Sequence, residues 1–336
     1  MLDLIIPVYN NLEGLYRTLL SIGAETKQKV YVTIVDDASD INYDEVIPLF
    51  QKLFPIRILK LSENMGPGVA RQQGIRETNN PYFSFIDCGD TFYSPLILPT
   101  MLEAIEKHPQ AMMFSWAHIE ENSDGSLDMV NSYHNRIHGK IYNREFINKH
   151  NITFSQLSPY ANEDIGFNLA CRMILKSLYP ETALYSNEDA AVVWKWSGPS
   201  IVRANDCEFY YRKQHLGLAL NSLHAINIAK ENNVLERIII EEIYTTMIYL
   251  YMFYLQTLYV RPQFKDEAYM GCKYYYSKIF REYGIKNPSL FRDYYYKVLL
   301  SFLSDEDDPM LQSLVSFDVL KFLQELEENT HEGLKN

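Results

Sequence analysis

The sequence has no C-x-x-C pair: its four cysteines, Cys88, Cys171, Cys207 and Cys272, lie far apart. That spacing suggests neither a zinc site nor a disulfide framework, so reduced thiols are expected. Positive charge is also short. With 31 Lys and Arg against 43 Asp and Glu, the formal charge is −12, which argues against broad, unspecific affinity for nucleic acid or anionic lipid. No G-x-G-x-x-G turn follows the first apolar run; Tyr9-Asn10-Asn11 stands there, which disfavours a dinucleotide oxidoreductase. Nor is there a basic N-terminal region or small-residue cleavage site, because Met1 passes through Asp3 straight into apolar residues. No signal peptide is therefore expected, and the chain reads as cytoplasmic, with a peripheral position at the inner face of the membrane as the alternative. Internal repeats are absent.

What the chain has in quantity is aromatic residues. Twenty-six Tyr and 17 Phe among 336 residues predict an aromatic interior with many phenols reaching its surface. Apolar content of 47% with 22% charged residues belongs to a folded protein large enough for two domains. One run, Ile243 to Val260, carries no formal charge over eighteen residues, the lower limit for a spanning helix. Its five tyrosines favour a buried helix in a helical layer, because phenols prefer interfaces to the bilayer centre.

In chain order, Leu2 to Val8 is a continuous apolar run, as expected for a parallel strand covered on both faces. Leu12, Leu15, Tyr16, Leu19 and Ile22 follow helical spacing. Val30 to Val35 predicts a second strand, ending in Asp36-Asp37; another helix and a strand over Ile56 to Leu61 follow. Glu63 to Gly74 reads as a glycine-containing turn entering a helix. Tyr82 to Ile86 then ends in Asp87-Cys88-Gly89-Asp90. Beyond these, the pattern predicts a helix from about Pro95 to Lys107, a strand from Ala111 to Ile119, a hairpin turn at Asp124-Gly125 and a strand from Val192 to Trp196. From about Asp206 it is helical to the end. Alternating strands and helices read as βαβ units on a mostly parallel, Rossmann-like sheet, and several strand ends place polar or acidic groups on the edge where such sheets bind ligands.

Five motifs in order cover roughly the first 205 residues: Ile5-Ile6-Pro7-Val8-Tyr9-Asn10, Val35-Asp36-Asp37-Ala38-Ser39, Glu63-Asn64-Met65-Gly66-Pro67-Gly68-Val69-Ala70-Arg71, Phe85-Ile86-Asp87-Cys88-Gly89-Asp90 and Asn162-Glu163-Asp164. This set resembles the family 2 glycosyltransferases of the GT-A fold, which implies residues 1–205 as the nucleotide-diphospho-sugar transferase domain. Residues 206–336 are then a helical, Tyr-rich C-terminal domain without a familiar motif, open to an acceptor site, a homodimer interface or a membrane-peripheral contact.

The resemblance implies an inverting transfer from a nucleotide sugar, most simply a UDP-sugar, to an acceptor hydroxyl. The acceptor class is a glycan, a lipid-linked glycan, a protein or modified nucleic acid. Pro7 and Tyr9 fall in the donor motif, with Tyr9 stacking on the base, and Asp36 and Asp37 read base and ribose. Gly66 and Gly68 let the backbone approach the donor, Arg71 lies near its phosphates, and Ser200 and Arg203 close over it. Asp87 and Asp90 fall at the metal motif for Mn2+ or Mg2+. Asp164 is the implied general base, with Glu163 beside it as a like charge able to raise its pKa. Trp194 and Trp196 fit a sugar-stacking wall or core equally, and His215 is expected on a helix surface.

The family's second acid of Asp-x-Asp is replaced here by Gly89. Either a small residue makes room for the sugar, or the metal is held through one carboxylate. A reading of another class follows from the same glycine: a catalytically silent nucleotide-sugar binding or scaffold protein, which binds donor without transfer.

Overall fold

The computed structural model describes residues 1–23, 26, 29–122, 124–132, 135–195, 207–284, 291–295 and 319–332. Ser200, Arg203, Trp196 and the expected domain boundary near 205 lie outside them.

β1 (Leu2–Val8) is buried along its whole length, which is why it reads as unbroken apolar sequence. It sits between β2 (Val30–Asp36) and β4 (Tyr82–Phe85), and β3 (Ile56–Lys60) flanks β2, all parallel. α1 (Leu12–Ser21), whose first turn is capped by the Asn11 side chain, follows β1. α2 (Val46–Phe50) and α3 (Pro67–Glu77) complete the crossovers, with Pro67 in the first turn, where a missing N–H costs no helical bond.

Beyond β4 the sheet changes character. The strand order is β3-β2-β1-β4-β8-β6-β9-β5, comprising β5 (Thr91–Phe92), β6 (Met113–Glu121), β8 (Lys140–Asn143) and β9 (Leu184–Trp194). β8 runs antiparallel to both β4 and β6, β9 is parallel to β6, and β5 is antiparallel to β9. β7 (Leu127–Val130) forms the expected hairpin with β6. The sheet is thus mixed: a parallel half carries the first four motifs, and the other half combines antiparallel pairs with the parallel β6-β9 pair. β9 also begins well before the expected Val192: Leu184 to Asp189 are half-buried or exposed and lack the continuous apolar run that starts at Ala190.

α4 (Ile97–Lys107) and α5 (Arg144–Lys149) pack on the sheet, and α6 (Glu163–Leu178) begins at the fifth motif. The helical layer contains α7 (Cys207–Glu231), α8 (Glu236–Val260) and α9 (Lys265–Tyr275), continued by a π-helical turn (Tyr276–Phe280), α10 (Arg281–Gly284) and α11 (Val319–Glu332). α8 is long and apolar enough to cross a membrane. Even so, Ile243, Tyr244, Met247, Tyr251 and Leu255 are buried in a core that runs continuously from Ile5 and Phe85 through Phe167 to Phe322. His215 is not on a surface. It is 1% exposed, with Thr257 of α8 on one side and Gly271 of α9 on the other. Cys88, Cys171 and Cys272 are free thiols.

Candidate active site

Parallel pairing puts the ends of β1, β2 and β4 side by side: Val8 pairs with Asp36, and Ile5 with Phe85. The loops that follow β1 and β2 are tightly wound, with Asn10 and Ala38 at left-handed φ angles of 48° and 60°, and Asn162, at the start of α6, holds 56°. Such angles in residues other than glycine collect where surrounding structure enforces them, often at functional sites.

Pro7 is buried within β1, paired with Val35. Tyr9 is 49% exposed, so its ring is an open face. Asp36 accepts the Ser39 N–H at 2.8 Å and lies 3.7 Å from Lys60 Nζ. The two oxygens of Asp37 accept the Met65 and Gly66 N–H groups, each at 2.8 Å. Burial raises the Asp37 pKa against those two bonds, which pull it down. A cavity of about 320 Å³ opens beside this pair, lined by Asp36, Tyr43, Ile58 and Lys60 among others.

Gly66 and Gly68 do permit a close approach, though the neighbour observed is protein. With φ of +87°, Gly66 is a glycine position, and a Cβ there would meet Tyr160 and Pro159 at 2.7 and 2.8 Å. At Gly68 it would meet Glu163 Cγ at 3.0 Å. The loop at 63–68 therefore packs directly on the segment that leads into the Glu163-Asp164 motif. Tyr160 seals the contact by donating to Asn64 O at 2.9 Å.

Arg71 is the centre of the site. It is 3% exposed, and its Nη1 donates to Glu163 Oε1 and its Nη2 to Asp87 Oδ1, both at 2.6 Å. One guanidinium thus joins the fourth motif to the fifth. Burial disfavours the Asp87 charge, but Arg71, then His138, outweigh it and lower its pKa. Glu163 goes the other way: burial pushes it up to about 7, with Arg71 pulling down and Asp164 pushing up. Asp164 is more open than Glu163 and accepts N–H groups from Ile137 at 3.2 Å and Ile165 at 2.8 Å.

Asp90 is 4% exposed, and burial raises its pKa. Its Oδ1 accepts the Lys195 N–H at 3.1 Å, and its Oδ2 lies 3.1 Å from His138 Nε2. The ligand atoms of Asp87, Asp90 and His138 all fall within 4.8 Å of one another. Two carboxylates and an imidazole form a donor set suited to a borderline divalent cation, and His138 Nδ1 is buried with no hydrogen-bond partner among the described residues. These residues fit a metal. His138 carries no motif and sits some fifty residues from Asp87, so only the fold reveals it. Asn221 of α7 was likewise invisible: its Nδ2 donates to Ser158 O and Ala161 O at 3.2 and 2.8 Å, fixing the segment before Glu163.

The glycosyl transferase family 2 model matches residues 3–162, the stretch that builds this edge. The chain carries a family 2 glycosyltransferase domain. An uncharacterized glycosyltransferase of Rickettsia felis is 32% identical over 95 residues, covering 28% of this chain and 16% of its own length. YibD of Escherichia coli, also an uncharacterized glycosyltransferase, is 30% identical over 104 residues, 31% of this chain and 29% of its own. The aligned segment thus spans less than a third of either relative. Among solved structures, S. aureus TarS 1–349 in complex with UDP matches at a TM-score of 0.50 and 17% identity, covering 82% of this chain and 91% of that one. At that identity the likeness is one of fold, and it extends past the glycosyltransferase domain into the helical layer.

Proposed function

We propose that this protein transfers a sugar from a nucleotide-sugar donor, a UDP-sugar, to an acceptor hydroxyl of a glycan or lipid-linked glycan by a single inverting displacement. The observation that carries this reading is the Arg71 bridge, which holds the donor-side Asp87 and the Glu163-Asp164 pair at one sheet edge. Glycosyl transfer needs such proximity, since the leaving group and the proton acceptor must flank one anomeric carbon. The fold relative TarS, in complex with UDP, supports the choice of nucleotide. Tyr9 offers an exposed ring for the base.

Asp164 is the base in this account, because Glu163 is buried and bound to Arg71 while Asp164 remains the more accessible carboxylate. It takes the hydroxyl proton as the acceptor oxygen attacks the face of the anomeric carbon opposite the nucleotide. The bond to the nucleotide breaks, and the anomeric configuration inverts. Asp87, Asp90 and His138 would hold a divalent cation, which when bound neutralises charge on the departing diphosphate. Arg71 keeps Asp87 ionised and aimed. In cells we read the chain as cytoplasmic, with α8 serving as a core helix.

The test is a panel of nucleotide sugars with Mn2+ or Mg2+ and candidate acceptors, followed by NMR of the product's anomeric proton. Turnover of one donor with inverted configuration is expected. Retention would overturn the single displacement, and donor binding without turnover under every condition would favour a silent binder.

A further inference from the structure

Tyr210 belongs to none of the five motifs, yet the packing of α7 brings it to the Glu163-Asp164 pair. One stripe of α7 faces the chain around the start of α6. A Cβ on Gly217 would meet Ala161 O at 2.7 Å, and Asn221 donates to Ser158 O and Ala161 O. From the other helix, a Cβ on Gly166 would meet Asn221 O at 2.7 Å. Asn162 Nδ2 pins the same junction by donating to Gln214 O at 2.7 Å. Residues three, four or seven apart share a helix face. Tyr210, seven residues before Gly217 and eleven before Asn221, therefore continues this stripe toward the first turn of α6, which Glu163 and Asp164 form.

The electrostatics agree with that placement. Burial, then the Glu163 and Asp164 charges, hold the Tyr210 phenol above its ordinary pKa, so it is a neutral hydroxyl able both to donate and to accept. The side chain is half-buried, and no hydrogen bond to a described residue engages its hydroxyl. Its ring is braced edge to face against Tyr211 with centroids 5.7 Å apart; Tyr211 is held in turn by Phe264 at 5.9 Å and by Arg261 over its face at 3.8 Å. Asp164 is anchored by a different element, since Ile137 N–H donates to its Oδ2 at 3.2 Å. The carboxylate that takes the acceptor proton thus stands near a braced phenol whose hydrogen bonds are unspent.

We propose that Tyr210 reads the acceptor: its hydroxyl binds a second hydroxyl beside the one that Asp164 deprotonates, so the acceptor is a sugar or polyol with neighbouring hydroxyls and a lone alcohol such as a serine side chain is rejected. The inference rests on the transferase reading above and gives the helical layer a part in choosing the acceptor. A carboxylate alone can take a proton from any hydroxyl. Two groups fixed relative to one another select a pair of hydroxyls at matching spacing, because an acceptor lacking the second one leaves the phenol unpaired.

The experiment supplies UDP-sugars and Mn2+ or Mg2+ to the full chain with three kinds of acceptor probe: methyl glycosides and glycerol, the same compounds lacking one hydroxyl, and N-acetylserinamide. Wild type is expected to transfer to an intact glycoside or polyol and to leave the serine probe untouched. Removing the hydroxyl beside the reactive one should raise acceptor KM about tenfold. Tyr210→Phe should raise KM for the intact acceptor by about the same factor, keep UDP affinity unchanged, and show no further loss on the deoxy probe, because both changes delete one interaction. A tyrosine that only packs would give independent losses that multiply. That result, an unchanged acceptor KM in Tyr210→Phe, or equal transfer to the serine probe would overturn the assignment and leave the transferase reading standing. The deoxy comparison on wild type needs no variant, so a misfolded substitution does not blunt the test. UDP bound without transfer to any probe would overturn the transferase reading and this inference with it.

Discussion

The two edges of the parallel half-sheet each hold a buried arginine, and they are finished differently. At the amino edge, Arg144 donates to Asp3, Thr78, Ile75 O and Asn80 O at 2.7 to 2.9 Å, and both Asp3 oxygens are engaged, Asn80 adding two further bonds. At the carboxyl edge, Arg71 holds two carboxylates, but its Nε has no partner among the described residues, and neither does His138 Nδ1. Buried polar networks that are closed stabilise and specify a fold, whereas unsatisfied members call for an explanation. Here the closed network is structural, and the open one lies where the domain's chemistry is expected.

Replacing each arginine separately breaks the comparison most sharply. Arg144→Ala and Arg71→Ala both leave a buried carboxylate uncompensated, so each should cost about 3–5 kcal/mol in denaturant unfolding. Only Arg71→Ala should also reduce transfer beyond its loss of folded protein, because Asp87 and Glu163 lose their common tether. Equal specific activity for the two variants, corrected for folded fraction, would remove the distinction between the edges.

A smaller effect comes from Glu163. Its carboxyl rises from 4.5 to about 7 on folding, mainly through burial. Between those values the native state binds more protons than the unfolded one, so stability falls as pH rises. The contribution is fully present below about 4.5 and is lost through about 7. Glu163→Gln should therefore match wild type near pH 5 and exceed it near pH 8 by about 1–3 kcal/mol, measured by urea unfolding at both pH values. A wild type that gains stability over this interval relative to the variant would show that Arg71 dominates the pair.

The smallest effect sharpens the carboxyl edge from the helical side. Asn221→Ala removes two donors to the segment before Glu163 but also an unpartnered buried acceptor, Oδ1. The net stability loss should be about 1 kcal/mol, with a kcat decrease of about tenfold and an unchanged KM for donor. A change in donor KM alone would place the influence of α7 elsewhere.

What could be read in advance follows from these same interactions. β1 and the Asp36-Asp37 and Asp87-Asp90 strand ends were legible because a strand buried on both faces must be continuously apolar, and its polar terminus stands out. α8 was legible from its lack of charge. β8 and His138 were not: four residues starting at Lys140 have no apolar run, and antiparallel pairing with β4, about sixty residues earlier, leaves no local mark. Gly66 and Gly68 signalled close approach, which the resemblance assigned to the donor; the observed neighbours are Tyr160, Pro159 and Glu163. Arg71 was legible as a charge near the phosphate motif, but its grip on Glu163 depends on how α3 meets α6. His215 followed helical spacing, and only the packing of α8 and α9 around it shows that it is buried.

The most direct measurement is single-turnover transfer from the cognate nucleotide sugar by wild type and Asp164→Asn, with UDP affinity measured alongside by calorimetry. The account predicts a rate lower by about 10²–10⁴-fold with UDP affinity essentially unchanged. Transfer at the wild-type rate by a folded Asp164→Asn protein would contradict it, because the proton would then be leaving the acceptor by some route other than this carboxylate.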